Sequence, residues 1–308
     1  MKNSVFQSLL ERELPGSKPL SATGEIGMEL ELYRTLWGVS EPLNAIAPQL
    51  KQAGFDGVEG RVILDDHKRA AFKHQLAQTG LSYIAIIFTG GDVIPDQSQT
   101  PDDHLNTLET QLEYAKALNA RFVNVLAGND RWPMETQVRF FRRAVEIASQ
   151  AGMTCSFETH RGSSLYSPWV TLELMARVPE LVFTMDISHW FLVCERLLDR
   201  PEDDLSEFLP RVFHIQARVG YDQGAQVPHP AAPEYQAALA FHQSLWQQVW
   251  QHHLDSGRSA TTMTAEFGPD GYLHHLPFTD VPVADLWSLN DWIAKEERAH
   301  FQRFAAHT

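Results

Sequence analysis

The chain has 308 residues, with 25 Lys and Arg against 39 Asp and Glu, giving a formal net charge of −14. This acidity argues against non-specific binding to phosphate backbones or anionic membranes. Apolar residues make up 44% and charged residues 21%, a composition that supports a full core rather than disorder. Cys155 and Cys194 make no disulfide framework. The opening MKNSVFQSLLERELPGSKPL lacks an apolar run of signal-peptide length, and no segment approaches a membrane span, so a cytoplasmic location is expected.

Eight short apolar runs read as strands: 28–33, 55–60, 82–88, 121–127, 153–159, 181–187, 211–217 and 261–267. Helical patterns fill the gaps. Residues 42–54 place Leu43, Ile46, Ala47 and Leu50 on one face, and 103–119 repeat the pattern with Leu105, Leu108, Leu112 and Ala115. Further helices are expected over 134–151, 234–254 and 283–303. Gly54, Gly80 and Gly152 each precede a strand, where glycine can end the helix before it. Eight strand–helix repeats suit either a closed (β/α)8 barrel or a doubly wound sheet. No GxGxxG turn follows the first strand and no Walker-type GKS or GKT occurs, which disfavours a nucleotide-binding sheet. One barrel domain is therefore expected over 1–308, with 1–25 as an N-terminal extension and 283–308 as the closing helix region.

Strands of such a barrel are mostly apolar, so charged residues near their C-terminal ends point to the catalytic face. Glu158, Asp186, His214 and Glu266 stand near the ends of strands five, six, seven and eight. Three carboxylates converging with an imidazole would repel unless a cation neutralised them, so the four are expected to be metal ligands. A lone histidine in an apolar strand is more often a hydrogen-bonded structural group; the case for His214 rests on the other three residues. This hard donor set favours Mn²⁺, Mg²⁺ or Co²⁺, with Zn²⁺ a further candidate.

Neighbouring residues supply candidate substrate contacts. His189 follows Asp186 by three positions, and Arg218 follows His214 by four. His160 follows Glu158 in the next loop, and Glu59 and Arg61 mark strand two. Trp132 and Trp190, with Tyr33, Trp37, Phe88 and Phe267, can wall a sugar pocket or pack loops over the barrel.

The segments CSFETHRG, FTMDISHW, VFHIQARVG and MTAEFGPDG together resemble the xylose isomerase-like barrel superfamily, which includes ketose 3-epimerases, inosose dehydratase and endonuclease IV. The resemblance covers about 25–300. It implies one divalent ion on Glu158, Asp186, His214 and Glu266, and a substrate-binding role for Arg218. Strands three and four end IIFTGG and NVLAGND, without the extra histidines of the nuclease branch, so no nucleic-acid partner is expected. The implied activity is isomerisation or epimerisation of a small keto-sugar or polyol-derived ketone, with Glu158 and Glu266 moving the proton. A dehydratase or lyase of inosose or keto-acid type is the same-fold alternative, and a non-catalytic binding barrel the alternative of a different class. The expected partner is a carbohydrate-like small molecule, with no membrane. Homo-oligomers are common in the superfamily.

Overall fold

The computed structural model describes residues 27–308. The expected extension over 1–25 lies outside the described residues. In chain order the elements are β1 (Glu29–Thr35), α1 (Leu43–Ala53), β2 (Gly57–Arg61), α2 (Asp66–Thr79), β3 (Ser82–Phe88), α3 (Pro101–Ala117), β4 (Val123–Leu126), α4 (Met134–Ala151), β5 (Cys155–Glu158), α5 (Pro168–Arg177), β6 (Phe183–Met185), α6 (Ser188–Cys194), β7 (Val212–Ala217), α7 (Gln236–Asp255), β8 (Ala260–Ala265) and α8 (Leu286–His307). Each strand pairs in parallel with the next, and β8 pairs with β1, closing a (β/α)8 barrel. None of the described helices is long and apolar enough to cross a membrane.

Local chemistry explains most helix boundaries. Gly54, Gly80 and Gly152 cap α1, α2 and α4 in the left-handed region, at φ of 88°, 65° and 65°. Thr100 and Asp103 form a reciprocal capping box at the start of α3, with Pro101 in its first turn. Helices α2, α5 and α6 carry weaker sequence signals: α2 buries only Leu76 and Thr79, and α6 has seven residues.

The strands alternate, apolar side chains outward and polar ones into the barrel. Val123, Val125, Phe157, Met185, Ile215, Ala217, Met263 and Ala265 join the helices in the main core. Asn124, Ser156, Thr184, His214, Gln216, Thr262 and Thr264 are buried inside and bond to one another or to Glu59 and Glu158. Toward the strand starts a separate apolar cluster of Tyr33, Ile84, Phe122, Val182, Phe213 and Ala260 fills the barrel. Phe122 and Phe213 meet edge-on there, with ring centroids 5.0 Å apart. The C-terminal ends of the strands are left as the polar face.

Candidate active site at the C-terminal mouth

A cavity of about 380 Å³ opens at that face. Its polar walls include Thr35, Arg61, Glu158, His160, Arg218 and Glu266, and its aromatic walls are Trp37, Phe88 and Tyr272. Glu158 is the last residue of β5, while Asp186 and Glu266 directly follow β6 and β8. All three are buried.

His214 is placed differently from the expectation. It is the third of six residues in β7, so the strand continues past it and carries Gln216 and then Arg218 to the mouth. Its Nδ1 lies 2.8 Å from Thr262 Oγ1 and its Nε2 3.1 Å from Thr264 Oγ1. Both ring nitrogens therefore have partners below the cavity. Gln216 donates to both oxygens of Glu59, at 3.0 and 3.1 Å. Asn124 donates to Glu59 Oε1 at 3.0 Å and to Glu158 Oε2 at 2.5 Å. Glu59 is thus the hub of a buried amide–carboxylate layer and does not line the cavity.

Above this layer lies the Arg218 guanidinium. Its Nη2 donates to Asp186 Oδ2, and its Nη1 stands 3.7 Å from Glu266 Oε2. Asp186 Oδ1 accepts from Ser188 Oγ at 2.5 Å and Ser188 N at 3.1 Å. The Thr159 hydroxyl accepts from Asp186 N and donates to Asp186 O, each at 2.9 Å, which locks the backbone where β6 ends. Tyr272 has the guanidinium carbons of Arg218 and Arg161 at 4.8 and 5.0 Å from its ring centroid.

The rings of His160 and His189 pack with centroids 3.9 Å apart and planes tilted by 53°. Glu158, His160 and His189 each bring a donor atom within 4.8 Å of the other two, the one such grouping of three among the described residues. His160 Nδ1 is buried with no hydrogen-bond partner. His189 Nε2 lies 3.3 Å from Asp186 Oδ2 and 2.7 Å from Arg218 Nη2, and its Nδ1 lies 3.3 Å from Arg161 Nη1.

The electrostatics call for more positive charge. Burial, then the charge of Asp186, pushes the Glu158 carboxyl up to about 8. Burial lifts Glu266 well above the usual carboxylate range, and Asp186 is raised despite Arg218. Burial lowers the His160 imidazole to about 3, and carries His189 well below its ordinary value. Arg218 stays charged against its own burial because Asp186 and Glu266 face it. Three buried carboxyl groups, Glu158, Asp186 and Glu266, thus share one buried guanidinium. That deficit, together with the unpartnered His160 nitrogen, fits a divalent cation.

Arg61 lines the cavity and pairs with Asp92 at 2.6 Å. Trp190 is fully buried, donates from Nε1 to Leu165 O at 3.0 Å and packs on Phe208, away from the cavity. Trp132 packs against His104 and Phe140, also outside the lining. Tyr33 bonds to Ser82 and Arg121 near the barrel base, and Phe267 belongs to the core. Trp37 and Phe88 do line the cavity. Sequence reading missed Asn124, Gln216 and Tyr272. Asn124 and Gln216 had a signal, because each is polar at an inward position of its strand.

The loop after β7 is pinned over the site. Gln226 donates to Gly268 O at 3.1 Å and accepts from Gly268 N at 2.9 Å. Asn290 of α8 makes the same two-way clasp on Phe267, at 2.8 Å each way.

Solved structures share this architecture. The probable 3-DHS dehydratase of Bacillus anthracis is 15% identical, with TM-score 0.56 over 88% of this chain and 98% of that one. D-allulose 3-epimerase from Methylomonas sp. is 15% identical, with TM-score 0.58 over 89% and 98%. The 3-keto-D-glucoside 4-epimerase of E. coli is 14% identical, with TM-score 0.56 over 88% and 100%. At these identities the likeness is one of fold. No curated protein matches the chain in sequence. The family model described as "Xylose isomerase-like TIM barrel" matches residues 48–232, more than half of the chain, and the protein belongs to that family.

Proposed function

We propose that the protein is a divalent-metal-dependent isomerase or epimerase of a small keto-sugar or polyol-derived ketone, working by proton transfer next to a carbonyl. The observation that carries this reading is the placement of Glu158 and Glu266, from β5 and β8, on one cavity wall system with the Arg218 guanidinium beside them. Carbon acids of this kind need a base at the proton and positive charge at the oxygen. A divalent ion at the Glu158 centre would supply Lewis-acid stabilisation of the enediolate oxygen.

The chain's own residues supply the rest. The cavity is of a size for a monosaccharide, and its aromatic walls suit the C–H faces of a sugar while excluding water. Glu266 Oε2 has no hydrogen-bond partner, which leaves it free to take or return a proton. Glu158 sits on a different strand and can act on the other side of the substrate. Arg218 is placed to steady a substrate oxygen between them. The acids and guanidinia that line the cavity leave no strong excess of positive charge, which favours an uncharged polyol over a phosphorylated substrate.

Solvent deuterium exchange at substrate C–H tests the proposal. The chain with added Mn²⁺ or Zn²⁺ would be incubated with ketoses, inososes and keto-acids and followed by proton NMR. Metal-requiring exchange with a sugar product supports it. Loss of a hydroxyl would instead identify a dehydratase, the reading suggested by the fold shared with the Bacillus anthracis protein. Absence of exchange in ion-loaded protein across the panel would sink the enolising mechanism.

A further inference from the structure

The cavity wall is divided between two sides of the barrel. Glu158, His160, Arg218 and Glu266 stand at or just beyond the ends of β5, β7 and β8. Leu36, Trp37, Phe88 and Val93 come from the ends of β1 and β3 and the loops that follow them. The apolar surface continues past this second wall to the entrance. On the loop after β3, Val93 is 38% exposed and Ile94 58%. Ile94 reaches toward the loop after β5, where its Cδ1 would stand 3.2 Å from a Cβ on Gly162. We propose that the substrate is a keto-sugar carrying an uncharged apolar substituent, an aryl or alkyl aglycone, which runs along the Trp37 and Phe88 wall and rests on Val93 and Ile94 at the entrance. The proposal deepens the sugar reading above and rests on it.

Three features of the entrance support an apolar substituent. A monosaccharide held by Glu158, Glu266 and Arg218 covers the inner walls but leaves Val93 and Ile94 in water, and covering adjoining apolar side chains is favourable. The wall is also preorganised. Trp37 Nε1 donates to Asp270 Oδ2 at 2.7 Å, its ring meets Tyr272 edge-on at 5.2 Å, and Gly268 lies too close behind it for a Cβ to fit. A fixed aromatic face binds a flat or aliphatic group without first having to be ordered. Charge excludes the main alternative. Arg61, the guanidinium on this wall, is answered by Asp92 at 2.6 Å and lies over the Phe88 ring at 4.1 Å. It leaves no free cation there for a phosphate or nucleotide extension.

The test compares phenyl and methyl β-D-glucopyranoside, a pair with the same ring hydroxyls, by titration calorimetry on the full chain with Mn²⁺ present. The phenyl glycoside is expected to bind at least about tenfold tighter. Joint Val93→Ser and Ile94→Ser substitution is expected to bring that ratio below about threefold while leaving the methyl glycoside within about threefold of the parent. Both side chains are partly exposed, so the fold should tolerate the change, and circular dichroism checks it. Phe278, on the loop after β8, is fully exposed and lies outside the cavity lining. Phe278→Ser should therefore keep the preference. Equal affinity for the two glycosides, or no binding of the phenyl glycoside, overturns the proposal. So does a preference that survives in the double variant or falls equally in Phe278→Ser. Because binding is read without turnover, a strong phenyl preference without C–H exchange would defeat the enolising reaction and leave the subsite standing. Exchange on simple ketoses without that preference would do the reverse.

Discussion

Arg218 Nη2 and Asp186 Oδ2 are in direct contact across the mouth of the barrel, tying the loop after β7 to the end of β6. A carboxylate held by a guanidinium is a poorer ligand for an incoming cation, and the same guanidinium nitrogen lies 2.7 Å from His189 Nε2, to which it donates. The mouth combines a resident organic cation with donor atoms for an inorganic one.

If Glu158 and Glu266 carry the proton, neither amide replacement should turn over. Glu158→Gln and Glu266→Gln are expected to reduce C–H exchange at least about a hundredfold, the scale of a lost general acid or base. Near-normal exchange in either variant, measured with saturating metal, would remove that residue from the mechanism.

The opposite face should govern stability alone. Near the strand starts Arg121 Nη2 donates to Glu31 Oε1 at 3.0 Å, and Nη1 donates to the Tyr33 hydroxyl at 2.8 Å. Both charged side chains are largely shielded from solvent, so Arg121→Met leaves Glu31 unpaired and is expected to cost about 3 kcal/mol. Urea unfolding should show that loss while metal binding and turnover persist. Loss of turnover without loss of stability would contradict the division between the two faces.

Acid should weaken the fold before the carboxylates outside the site titrate. His242 is buried on α7, with Nδ1 2.8 Å from Ala238 O, and burial lowers its imidazole to about 4. The unfolded chain takes up that proton near pH 6.5 and the folded chain only near 4. Stability from the neutral ring is therefore complete above about 6.5 and is lost as pH falls toward 4, by about 3 kcal/mol. Unfolding midpoints measured between pH 7 and pH 4 check the slope, and His242→Gln should reduce it by that share, leaving the part contributed by the buried rings of His160 and His189.

Gly268 is a steric requirement of the site. A Cβ at this position would run into the Trp37 indole, whose Nε1 donates to Asp270 Oδ2 at 2.7 Å. Gly268→Ala is expected to cost about 1–3 kcal/mol through overpacking and to displace Trp37 from the cavity wall. A raised KM with little change in Co²⁺ binding is the expected signature. An unchanged KM would show that Trp37 does not touch substrate.

The eight-strand rhythm, the helix-ending glycines and the carboxylates Glu158, Asp186 and Glu266 were all legible along the chain, because period, capping and strand-end polarity are local properties. Helices α2, α5 and α6 were not, since α2 buries only Leu76 and Thr79, and α5 and α6, at ten and seven residues, are too short for an apolar period to repeat. The sequence by itself determined a closed α/β barrel with acids gathered at one end. Only the tertiary structure decided what each polar residue does there. Along β7 and the residue that follows it, His214, Gln216 and Arg218 point into the same interior at successive levels, and the level alone separates a histidine bonded to two threonines from an arginine at the mouth. Trp132 and Trp190 follow the same logic: the chain places them beside the site, but packing turns them into the walls behind it. The depth of a side chain in a barrel depends on where its strand begins and how its neighbours are staggered, and that is settled by eight strands pairing at once.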